Sequence, residues 1–62
     1  MDTSEDLARR ALAFVREHPG TRLVEVEKVL DVPRIQAGRT LRALMDQGKL
    51  RRDEDTRQYF AM

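Results

Sequence analysis

Apolar residues recur along most of this chain at helical spacing, and the pattern changes only near its C-terminal end. Between residues 4 and 18 the apolar positions are Leu7, Ala8, Ala11, Leu12, Phe14 and Val15. Positions 7, 8, 11, 14 and 15 fall on one helical stripe, and Arg9, Arg10, Arg16 and Glu17 lie mostly outside it. Thr3 stands where it can cap this helix, with Asp6 near the positive end of the dipole. Pro19 pushes His18 out of helical geometry and Gly20 turns the chain. A second pattern predicts a helix over 23–30, with Leu23, Val26, Val29 and Leu30 on its core side. Asp31 ends it, because Asp tolerates the left-handed conformation that such a turn needs. Val32 is expected in the core.

The third pattern predicts a helix over 33–47. Pro33 suits the first turn, where its missing N–H costs nothing, and Gly48 suits the stop. At 100° per residue, Ala37, Leu41, Leu44 and Met45 share one side. Ile35, Gln36, Arg39, Arg42, Ala43 and Asp46 take the other. From Lys49 the helical period gives way to a hairpin over 49–61, with Asp53-Glu54-Asp55-Thr56 as its polar tip. Leu50 and Phe60 are expected to face inward. Tyr59 and Phe60 are both apolar, so alternation leaves the side taken by Tyr59 open. A brief bridge at 21–23 would supply the third strand a small hairpin needs. The fold class is therefore α+β, three helices and a C-terminal hairpin, in a single domain over residues 1–62.

Composition narrows the function. A chain of 62 residues buries only about 60% of its unfolded surface, so the core is thin. With no cysteine, neither a disulfide nor a cysteine metal site can staple it. No apolar run is long enough to span a membrane and there is no signal-peptide core, which predicts a cytoplasmic protein. The single histidine, His18, reads as a helix-end cap or a cover for the core edge. There is no Gly-rich phosphate loop, no nucleophile–base pair and no pair of carboxylates placed for a cleft. No cofactor, no metal and no enzymatic activity are expected. Charge is nearly balanced, at +1 overall, but unevenly spread. Residues 34–48 carry three arginines against one acid, and residues 49–62 carry four basic residues against three acids. A nucleic-acid face would require a surplus in this half of the chain.

The stretch VEVEKVLDVPRIQAGRTLRALMDQGKLRR resembles the winged helix-turn-helix domain of many bacterial and archaeal regulators. The turn is Leu30-Asp31-Val32-Pro33, the paired leucines are Leu41 and Leu44, and the close is Gly48-Lys49-Leu50-Arg51-Arg52. The resemblance covers about residues 5–62. Two positions depart from the family pattern: Glu27 stands where a small residue is usual, and Asp31 where Gly is usual. A more specialised relative, the domain that binds left-handed Z-form nucleic acid, shares a Leu-Gly-x-Pro-like turn and a Gly-Lys-Leu lead into the wing. Its ligand-contacting helix-3 Asn and Tyr match Gly38 and Arg42 here, and its wing prolines and Trp have no counterpart. That second likeness carries the scaffold and not the contact chemistry.

The first resemblance implies double-stranded DNA binding by a transcriptional regulator, with helix 3 in the major groove. Arg34, Arg39 and Arg42 would grip phosphate or pair with guanine O6 and N7, and Gln36 would read adenine. Ile35 would touch a thymine methyl. Thr40 and Ala43 complete the helix surface, and Lys49 and Arg51 would lie on flanking phosphates. The acidic tip, Asp53 to Asp55, would repel the backbone. The alternative is a protein-interaction module or a subunit of a larger assembly, using exposed Ile35 and the helix 3 face. A monomer or a weak homodimer is expected.

Overall fold

In a computed structural model, described here for residues 3–62, helix α1 spans Thr3–Glu17, α2 Leu23–Leu30 and α3 Arg34–Asp46. Strands β1, Leu50–Arg52, and β2, Tyr59–Ala61, then form an antiparallel hairpin. The side chains of Thr3 and Ser4 lie outside the described residues, and with them the expected Thr3 cap. The dipole argument reappears one turn on: Glu5 and Asp6 occupy the first turn of α1, and Asp6 accepts from Arg9 at 3.3 Å.

The predicted elements are present, with small shifts at their ends. Pro33 is the residue before α3 and not its first helical residue; its backbone is extended (φ −62°, ψ 156°) and its carbonyl accepts from Ala37 at 3.0 Å. Asp31 takes the left-handed conformation expected of it (φ 56°, ψ 50°). Glu27, the first departure from the family pattern, is used at this turn. Its carbonyl accepts from Val32 and its carboxylate pairs with Arg34 at 3.4 Å. Val32 is only partly buried against the core. At the far end of α3, Gly48 (φ 75°) donates to Met45 O at 2.9 Å and Lys49 donates to Leu44 O at 2.9 Å. These two bonds close the last turn in the Schellman pattern, which requires a residue at ease with positive φ.

The core is built from one face of every element. Leu7, Ala11 and Val15 of α1 meet Val26 and Leu30 of α2, and Ala37, Leu41 and Leu44 of α3. Leu50 and Tyr59 close it from the hairpin. Val29 departs from its predicted side and is 41% exposed. Leu23, Val26 and Leu30 form the inward row of this short helix, and Val29 falls at its margin.

The hairpin also differs from its predicted facing. Its register pairs Leu50 with Ala61, Arg51 with Phe60 and Arg52 with Tyr59. Opposed residues share a face, so once Leu50 points inward Phe60 cannot. Phe60 lies under the Arg51 guanidinium, 4.7 Å from its ring centre, and Tyr59 enters the core instead. Tyr59 also makes the predicted third-strand contact. Its N–H donates to Thr21 O at 2.7 Å, and its carbonyl accepts from Gly20 at 3.0 Å. Thr21 is buried, with its hydroxyl donating to the His18 carbonyl. His18 itself is exposed and tilts against the Phe14 ring at 4.7 Å, covering the core edge.

Leu41 is fully buried. Leu41→Ala is therefore expected to cost about 2–5 kcal/mol, the range for deleting a buried leucine side chain. A domain this small has only a few kcal/mol in total, so the variant should be largely unfolded at room temperature. Urea denaturation followed by circular dichroism checks this; a midpoint equal to the parent's would contradict the placement.

Candidate nucleic-acid interface

The apolar row of α3 faces inward, so the opposite row is presented outward as a continuous surface. Arg34, Ile35, Gln36, Arg39, Arg42 and Ala43 are all exposed there. Lys49 and Arg51 are exposed just beyond the helix. Thr40, the remaining predicted contact residue, is turned inward and is only 9% exposed. It lies about 40° from Leu44 around the helix, on the margin of the buried arc. Its hydroxyl donates to Gln36 O at 2.9 Å, which satisfies the buried group without a ligand.

Two shallow grooves flank this surface. One runs between α3 and α1 and is lined by Leu7, Ala8, Pro33, Gln36 and Ala43. The other runs between α3 and the hairpin and is lined by Leu23, Gly38, Arg42, Met45, Arg52 and Tyr59. Ile35 and Arg39 line both and so form the ridge between them. Ile35 is 70% exposed on that ridge.

The cations of this surface are largely unopposed. Among the described residues, Arg39, Arg42, Lys49 and Arg51 form no ion pair. Arg51 lies over the Phe60 ring and remains exposed to solvent. The acidic tip repels less than its sequence suggests. The Asp53 carboxylate accepts from the amides of Asp55 at 2.9 Å and Thr56 at 3.3 Å, and Glu54 pairs with Arg52 at 2.9 Å. Of the three, Asp55 is the one whose carboxylate has no partner among the described residues.

Arg52 belongs to the groove although sequence reasoning passed over it. It sits two residues from Leu50 on the inward strand face, where an arginine reads as an exception to alternation. The strand is so short that this position reaches the groove mouth. Donating to the Glu54 carboxylate, and then to the Tyr59 oxygen, raises the Arg52 guanidinium above its ordinary value, so it stays charged.

Gly38 occupies the middle of α3 on the groove side, and a Cβ built there would meet nothing within 4 Å. No neighbour in the fold demands a glycine at this point. Its absence of side chain leaves the helix backbone open to close approach from outside. Gly38→Ala is expected to stabilise the chain by about 1 kcal/mol, the helix-interior difference between the two residues. A higher melting temperature checks this, and a lower one would show that the glycine serves internal packing.

No helix among the described residues is long and apolar enough to cross a membrane, and none of their acidic, His or Cys side chains group as a metal site. No family model matches the chain, and no curated protein matches it in sequence. Among solved structures, it is similar to the Zalpha domain of ORF112 from Cyprinid Herpesvirus3, described in its binding mode to Z-DNA. The likeness has a TM-score of 0.87 at 20% identity, and covers 98% of this chain and 100% of that one. An α+β chain of three helices and a hairpin, with α3 outward and the hairpin beside it, thus has the winged helix-turn-helix fold.

Proposed function

We propose that this protein binds double-stranded DNA through the outward face of α3 and the first wing strand, without catalysis, and that it serves transcriptional control. The observation that carries the reading is the pair Arg39 and Arg42 on the outward face of α3, which form no ion pair among the described residues and are flanked by Lys49 and Arg51 on a winged-helix scaffold. Surface ion pairs and loose arginines add little to stability, so a row of unopposed guanidiniums on one face is better explained by an anionic partner. In the major groove, Arg39 and Arg42 would pair with guanine edges and Gln36 with adenine, while Arg34, Lys49 and Arg51 meet phosphates. Ile35 and Ala43 would lie against thymine methyls.

A second reading is favoured by the groove between α3 and the wing. A left-handed duplex presents a convex zigzag backbone, which suits a concave seat better than a groove-entering helix. The structurally similar Zalpha domain binds such a duplex. In this mode the chain would grip phosphates with Arg39, Arg42 and Arg52 across Gly38, in place of the helix-3 Asn and Tyr of that family.

Fluorescence anisotropy with one alternating cytosine–guanine duplex, held right-handed or left-handed, separates the two. With Arg39 and Arg42 on base edges, Arg34, Lys49 and Arg51 would give a log–log salt slope near −3, and with all five cations on the backbone, neutralising about four or five phosphates, the slope would be about −3.6 to −4.5. Arg39→Ala should weaken binding, by about 1–3 kcal/mol at one position if it reads a base. A tenfold or greater preference for the left-handed form would select the second mode. Absence of salt-sensitive binding to either form, together with loss of a captured protein on Ile35→Asp, would assign the helix to a protein partner.

A further inference from the structure

We propose that the cleft between the start of α2 and the wing tip is a phosphate-binding site built by Arg22, Arg34, Arg52 and Arg57. The inference rests on the proposed duplex binding where the phosphate belongs to a nucleic-acid backbone. The same chemistry would hold a free phosphate ion.

The cleft has a volume of about 510 Å³ and is lined by these four arginines with a single carboxylate, Glu54. Glu54 is held by Arg52, and Arg34 is held by Glu27 at the margin. Among the described residues, Arg22 and Arg57 have no ion-pair partner. The guanidiniums come from the cap of α2, the start of α3, the end of β1 and the wing tip. Arg22 and Arg57 thus bring to the cleft two positive charges that no carboxylate among the described residues answers. A tetrahedral anion would answer them, since guanidinium forks match phosphate oxygens in charge and geometry.

Arg57 supplies a second, independent observation. Its φ is 61°, in the left-handed region that residues with long side chains rarely occupy. The tip loop sets this conformation: Arg57 N donates to Asp53 O at 2.7 Å, and Asp53 N donates to Gln58 O at 2.8 Å. Glycine would fill the position without strain. An arginine there gives up stability and places a guanidinium at the cleft mouth, as strained residues do at ligand sites.

The test titrates the whole chain with sodium phosphate against sodium chloride at equal ionic strength, following amide NMR shifts. Saturable shifts at Arg22, Leu23 and Arg57 are expected with phosphate alone. Arg57→Gly should abolish them while raising the melting temperature by about 4–8 °C. Arg57→Lys keeps the charge and the strain but not the fork, and should melt like the parent while binding phosphate measurably but more weakly. With duplex, Arg57→Gly should reduce the magnitude of the salt slope by about 1. If that slope is unchanged while the phosphate shifts are lost, the site holds a free phosphate and not a backbone one. The phosphate arm decides the cleft even if no duplex binds. Shifts identical in the two salts, phosphate binding retained by Arg57→Gly, or a melting temperature below the parent's would overturn the site.

Discussion

Everything in this molecule hangs on the buried row of α3. Ala37, Leu41 and Leu44 have almost no exposed surface, and α3 packs on α1, α2 and β1. Burying one such leucine stabilises by about 1.5–3 kcal/mol, a large share for a chain of this size. The same helix carries the outward ridge. Its position is therefore set by the core behind it, and a surface built on it is held as rigidly as the core permits.

The polar residues follow a different rule. Surface ion pairs contribute only about 0–1 kcal/mol each, so Arg34–Glu27 and Arg52–Glu54 are better understood as positioning two guanidiniums than as holding the fold. The wing tip follows the same logic. Asp53 turns its carboxylate onto the loop amides, and Glu54 answers Arg52. An acidic run that would repel phosphates as a bare sequence is partly consumed by its own loop.

Backbone conformation at three corners holds these parts in place. Asp31 turns α2 into α3, Gly48 turns α3 into the wing, and Arg57 closes the wing tip, all with positive φ. Asp and Gly reach that region at modest cost. Arg57 does not, which is why it stands apart from the other two.

The sequence by itself determined the three helices, the hairpin and most of the core, because helical periodicity is local and the breaks at Pro19-Gly20, Asp31 and Gly48 are chemical. It also determined the outward set of α3, since residues 100° apart on one helix need no partner to be placed. The hairpin facing was not legible. Tyr59, Phe60 and Ala61 are all apolar, so their alternation has no sign until register sets Leu50 opposite Ala61. Thr40 lay near the edge of the helical arc, and only packing against α1 and the core settled that it turns inward. Arg22, Arg52 and Arg57 read as scattered surface charge in sequence, and only the tertiary structure gathered them with Arg34 around one cleft. Proximity between residues on different elements is decided by how those elements pack, which no local period records.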